Sequence, residues 1–192
     1  NIRMPQRLVL LHGWGATAAD LQPLGEQLAA QHPEPLDIVC LEAPEPHQSP
    51  GGRQWYGLFP SDWDAVPTAV QQLTSRLLDV ARDGIPLERT VLFGFSQGGA
   101  MALSCGCRLP LAGVISCSGY PHPDWQPPLD HPPVLAMHGS EDEIVPPGAL
   151  EMIKGRLHPE RCQGLLFKNG HTIPLEMMQP LKDTLQTMLK SP

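Results

Sequence analysis

Short unbroken apolar runs alternate along this chain with stretches in which apolar residues recur every three or four positions. Leu8–Leu11 is a continuous aliphatic run ended by His12-Gly13, as expected of a strand buried on both faces. From Thr17, an N-cap with Asp20 at the third helical position, Leu21, Leu24 and Leu28 recur at helical spacing until Pro33. A second strand is predicted at about Asp37–Leu41. The helical period returns from Pro67 to Asp83, with Val70, Leu73, Leu77, Leu78 and Ala81 on one face and Gly84 as the C-terminal cap. A third strand, Thr90–Phe95, leads into a helix from Gln97 to about Cys107. The segments Leu111–Cys117 and Val134–Met137 read as strands four and five. A helix near Ala149–Leu157, a sixth strand near Gly164–Phe167 and a last helix from about Leu175 to Leu189 complete the series.

Short, uniformly apolar strands that alternate with helices indicate a parallel sheet covered on both faces by right-handed crossovers. The expected class is therefore α/β, a mostly parallel, six-stranded, doubly wound sheet in one domain spanning residues 1–192. Residues 42–66, rich in Pro, Gly, Ser and aromatics, follow neither period and read as a long surface loop. Loops of this length are usually functional or mobile. In such sheets the functional crevice lies at the carboxyl ends of the strands, so the residues that follow each strand come under scrutiny.

Composition narrows the partners. With 41% hydrophobic and 17% charged residues, the 192-residue chain has enough apolar matter for a core and too little charge to remain disordered. Thirteen basic against twenty acidic residues give a net charge of −7, which disfavours nucleic acid and anionic membrane surfaces. The longest apolar run is four residues, far short of the roughly 18 that a membrane helix needs, and no export signal is visible. The five cysteines are odd in number and lack a CxxC pair, which fits a reducing cytoplasm. No His or Cys pair has metal-ligand spacing, so no metal is expected. The oligomeric state is not legible.

After strand three stands Gly94-Phe95-Ser96-Gln97-Gly98, a G-x-S-x-G turn between a strand and a helix. The bare pattern is weak, since a glycine-rich turn with a helix-capping serine matches it too. Its strand-before, helix-after context makes it specific for a serine thrust above the sheet as a nucleophile. A serine nucleophile needs a base, the base needs an orienting acid, and on this architecture the chain order is Ser, acid, His. His138-Gly139-Ser140-Glu141-Asp142-Glu143 follows strand five and Asn169-Gly170-His171 follows strand six. His171 is the expected general base and Asp142 its orienting acid, with Glu141 and Glu143 as rival acids. His12 and His138 precede turn glycines in the wrong order and read as structural supports. The turn His12-Gly13-Trp14-Gly15 lets the Trp14 backbone N–H approach the serine, where with that of Gln97 it forms the expected oxyanion hole. Trp55, Tyr56, Phe59 and Trp63 place four of the ten aromatics in the long loop. Trp55, Tyr56 and Phe59 are candidates to line an acyl groove, with packing of the loop's own small core as the competing reading. Packing is favoured for Met177 and Met178.

The blocks LLHGWG from Leu10, GGRQWYGLF from Gly51, GFSQGGAMAL from Gly94, HGSEDEIVP from His138 and NGHTIPLE from Asn169 resemble the signatures of the phospholipase/carboxylesterase family. These small α/β-hydrolases include acyl-protein thioesterases. The resemblance implies Ser96, Asp142 and His171 as the triad and Trp14 and Gln97 as the oxyanion positions. It also implies cofactor-free hydrolysis of esters or thioesters, on small-molecule or acylated substrates. Two departures stand out. The chain starts close to its first strand, implying a minimal hydrolase, and Trp14 replaces the family's smaller aliphatic residue, which argues against long acyl chains. The rival readings are a serine peptidase or amidase on the same fold and a non-catalytic ligand-binding domain.

Overall fold

The computed structural model describes residues 4–190. Its elements are β1 (Gln6–Leu11), α1 (Gln22–Ala30), β2 (Leu36–Leu41), β3 (Glu45–Pro46), β4 (Arg53–Gln54), α2 (Val66–Val80) and β5 (Thr90–Phe95). Then follow α3 (Gln97–Gly106), β6 (Gly113–Cys117), β7 (Val134–Gly139), α4 (Gly148–Arg156), β8 (Cys162–Phe167) and α5 (Met178–Met188). Six strands form one sheet in the order β2-β1-β5-β6-β7-β8, and every neighbouring pair is parallel. The α/β, doubly wound reading stands.

The unbroken apolar run of β1 hides a period of two. Leu8 and Leu10 enter one hydrophobic cluster with Val91, Phe93 and Ile115 of the neighbouring strands, sealed by Leu28 of α1 and Leu181 and Leu185 of α5. Val9 and Leu11 enter the other with Leu92 and Val114, covered by Leu73 and Leu77 of α2, Met101 and Leu103 of α3 and Ile153 of α4. A strand buried on both faces has no polar side to reveal its alternation. All ten residues of α3 are buried, which explains why it lacks a polar stripe.

Several boundaries differ from the sequence reading. The first helix opens with a 3-10 turn, Ala18–Leu21, and Asp20 accepts a hydrogen bond from the Thr17 N–H at 2.8 Å before α1 begins. The fourth strand of the large sheet starts at Gly113 rather than Leu111. Leu78, placed on the buried face of α2 by its spacing, is exposed. The long loop contains the antiparallel pair β3 and β4, whose two-residue strands are too short to show a period.

The order of strands positions the site. From β1 the chain steps outward to β2, then returns to the other side of β1 as β5, so the turns after β1 and β5 lie side by side. That is a topological switch point, where open α/β sheets form their ligand crevice.

Candidate active site

Ser96 sits between β5 and α3 with φ 57° and ψ −118°, a conformation that a non-glycine residue adopts only under constraint. Two close approaches impose it. A Cβ on Gly94 would lie 2.0 Å from the Gly98 carbonyl oxygen, and one on Gly98 would lie 2.2 Å from that of Leu11. Only glycine fits either place, which gives the motif its physical content.

The Ser96 Oγ lies 3.0 Å from His171 Nε2, and His171 Nδ1 lies 2.7 Å from Asp142 Oδ2. His171 and Asp142 come together because the loops after β7 and β8 are bonded to each other. Ser140 N–H donates to the Phe167 carbonyl at 2.8 Å and Glu141 N–H to that of Asn169 at 2.9 Å. Asp142 is buried, and its Oδ1 accepts the N–H groups of Ile144 at 2.9 Å and Val145 at 2.8 Å. Burial opposes its charge, but the hydrogen bonds from His171, Val145 and Ile144 outweigh that and hold the carboxyl below its ordinary range. Glu141 and Glu143 are exposed, and of the three adjacent acids Asp142 is the one bonded to His171.

The two other strand-end histidines brace loops. His12 donates from Nδ1 to the Gly13 carbonyl at 2.7 Å, and its Nε2 accepts the Ala43 N–H at 3.0 Å. Burial lowers its pKa, in keeping with a neutral ring that both donates and accepts. His138 donates from Nε2 to the Val145 carbonyl at 2.8 Å and so closes the loop around Asp142.

The turn after β1 is closed by the Ala16 N–H on the Gly13 carbonyl at 3.2 Å, leaving the Trp14 N–H without an acceptor inside the turn. A Cβ on Gly13 would be 3.3 Å from the Ser96 Cβ, so this turn abuts the serine. In α3, the Ala100 N–H bonded to the Ser96 carbonyl at 3.1 Å begins the helical ladder, so the Gln97 N–H has no intrahelical acceptor. The pairing of β1 with β5 sets the turns that carry these two groups side by side.

The aromatic loop departs from expectation. Trp55 and Tyr56 are 2% and 0% exposed, so neither lines an open groove, and both belong to the core over α2 and α3. The Gln97 side chain clamps them, accepting the Trp55 N–H at 2.9 Å and donating to the Tyr56 carbonyl at 2.8 Å. Trp55 Nε1–H donates to the His12 carbonyl at 2.9 Å. Packing is the correct reading for this pair. Phe59, by contrast, is 79% exposed at the loop tip, with its ring edge-on to Trp14 at 5.4 Å. Met177 packs in the core.

One feature escaped sequence reasoning altogether. The Tyr56 hydroxyl lies 2.6 Å from both the Tyr120 hydroxyl and His122 Nε2, and His122 Nδ1 lies 2.6 Å from the Ser104 Oγ. These four residues share no local spacing, so no sequence signal announces the network. Among the described residues no His, Cys, Asp or Glu group is arranged to hold a metal, and no helix is long and apolar enough to cross a membrane.

Residues 3–189 match the profile of the phospholipase/carboxylesterase family. Acyl-protein thioesterase 1 of Yarrowia lipolytica is 29% identical over 160 residues, covering 72% of this chain and 70% of the relative. Esterase YpfH of Escherichia coli is 26% identical over 183 residues, covering 92% and 75%. Among solved structures, esterase PE8 superposes with a TM-score of 0.86 at 29% identity, covering 96% of this chain and 93% of that one. A match to nearly the whole chain, with the switch-point geometry described above, establishes that the protein belongs to the phospholipase/carboxylesterase family of α/β-hydrolases.

Proposed function

We propose that the protein is a serine hydrolase that cleaves carboxylic esters or thioesters through an acyl-enzyme on Ser96. The observation that carries this reading is the bonded series Ser96–His171–Asp142 at the switch point of the sheet. His171 Nε2 takes the Ser96 proton as Oγ attacks the substrate carbonyl, and Asp142 stabilises the imidazolium without taking the proton. The developing oxyanion meets the N–H groups of Trp14 and Gln97, each worth about 2.7–4 kcal/mol in such sites. Collapse breaks the bond to the leaving oxygen or sulfur, which receives the proton from His171. Water then gives a proton to His171 and attacks the acyl carbonyl; the C–Oγ bond breaks, the carboxylic acid leaves, and His171 returns the proton to the Ser96 Oγ. Each step uses groups of this chain, the substrate and water. The relatives named esterase and acyl-protein thioesterase support the ester and thioester classes.

The test is hydrolysis of matched ester and thioester series, from acetyl to dodecanoyl, by wild type and Ser96→Ala, with fluorophosphonate labelling of both. Turnover and labelling lost in the variant are expected. Comparable turnover of amides would favour a peptidase or amidase. Absence of both labelling and turnover would indicate a ligand-binding domain.

A further inference from the structure

Beside the oxyanion turn lies a cavity of about 500 Å³ whose walls include Trp14, Leu58 and Phe59, with Gln48, Gln54 and Asp62 among its polar lining. Its wall at Trp14 follows directly on Gly13, the residue that abuts Ser96, so the cavity neighbours the turn beside the serine. The two larger clefts lie elsewhere, at the amino ends of strands. One includes Val134 at the start of β7 and the other Gln6 at the start of β1.

The Trp14 indole is a fixed wall. Its Nε1–H donates to Gln54 Oε1 at 2.8 Å, Gln54 Nε2 donates to Glu45 at 3.2 Å, and the ring meets His47 edge-on at 4.1 Å. Phe59 offers a second, exposed ring. Asp62 is exposed and has no ion-pair partner among the described residues, and no lysine or arginine lines the cavity. Two aromatic rings and an unpaired carboxylate around one space attract a cation, through the ring quadrupoles and through charge. The surrounding field has the same sign. The loops 42–65, 140–147 and 168–177, at the carboxyl ends of the strands, hold eight acidic and two basic residues, a net of −6 out of the chain's −7. One of those two cations, Arg53, is engaged by the carbonyls of Ala43 and Pro44.

Resting on the proposed esterase chemistry, we infer that this cavity receives the leaving group of the substrate and selects one that carries an ammonium. The cavity rim at Phe59, Pro60 and Ser61 is exposed, as suits a group that departs into solvent. Anionic leaving groups, nucleotide thiols included, are disfavoured by the same field.

The test compares kcat/KM for the choline ester of a short acid, its neutral 3,3-dimethylbutyl isostere and a 3-sulfopropyl ester. A second arm compares S-acyl cysteine peptides flanked by lysine with the same peptides flanked by glutamate. The cation should be preferred over the neutral isostere by about tenfold at low salt, the combined scale of an exposed cation–π contact and a surface ion pair. The ratio should fall towards one in Asp62→Asn and in Phe59→Ala, and with added salt. Tetramethylammonium should compete with the neutral ester in wild type and compete more weakly in Asp62→Asn. A preference in the small esters alone identifies aminoalcohol esters, and one in the peptides alone identifies basic acylated peptides. Either supports the inference. Parity in both arms with Ser96-dependent turnover overturns it while leaving the esterase reading intact, as does a ratio unchanged in both variants. No Ser96-dependent turnover of any compound overturns both.

Discussion

His122 makes this protein sensitive to mild acid, and the size of the effect follows from its surroundings. The ring is 2% exposed and lies between the Tyr56 hydroxyl and the Ser104 Oγ, each at 2.6 Å. Burial pushes its pKa down to about 4 from the ordinary 6.5. The unfolded chain therefore binds more protons on this residue than the folded one below about pH 6.5, so stability rises with pH through that window and is lost as pH falls. With the two values above, this histidine costs about 2 kcal/mol between pH 7 and pH 5 and about 3 kcal/mol by pH 4. The loss then levels off, because both states are protonated below the folded pKa. Urea unfolding followed by tryptophan fluorescence at pH 7, 6, 5 and 4 measures it against His122→Gln, whose amide can replace both hydrogen bonds but does not titrate. Burial also lowers the pKa of His12 and His32, and these act in both proteins, so they cancel in the difference. Wild type should lose about 2 kcal/mol more than the variant by pH 5. Parallel curves would refute the reasoning.

Three further outcomes follow from the site. In Gly98→Ala the new methyl meets backbone oxygens of Leu11 and His12 at 2.2 and 2.5 Å, which no rotamer change relieves. A loss of about 3 kcal/mol, or a Tm drop of about 6–12 °C, is expected by calorimetry together with loss of turnover, and a Tm within about 2 °C of wild type would contradict it. Gln97→Met keeps the backbone N–H but strands the Trp55 N–H and the Tyr56 carbonyl in the core, which should lower the stability by about 2–6 kcal/mol in urea. An unshifted urea midpoint would show that the clamp carries no energy. Asp142→Asn should reduce kcat by about 10³–10⁴-fold with KM changed by less than about twofold, and a loss confined to KM would count against its orienting role.

The course of the chain through the large sheet was legible because its signals are local. Apolar runs and helical periods depend on neighbours a few residues apart, and the pattern of β1, α2 and β5 survives folding almost unchanged. The small pair β3 and β4 was not legible, since two residues on each side, one of them Pro46, form no pattern. The turn around Ser96 was legible for a steric reason. Gly94 and Gly98 leave their mark in the sequence because no other residue fits those approaches.

The order of Ser96, an acid from the 141–143 run and His171 was set in the sequence, as was each residue's place after a strand. Local pattern left Glu141 and Glu143 as rivals to the expected Asp142, and the meeting of the loops after β7 and β8 is what bonds Asp142 to His171. The same holds for Trp55 and Tyr56. An aromatic loop has one composition whether it lines a groove or fills a core, and the Gln97 clamp from a distant helix turns both residues inward. The network of Tyr56, Ser104, Tyr120 and His122 draws on residues up to 66 positions apart. Sequence determines which local conformations are affordable; which side chains then share a buried space depends on contacts between distant segments, and those exist only once the sheet has closed around them.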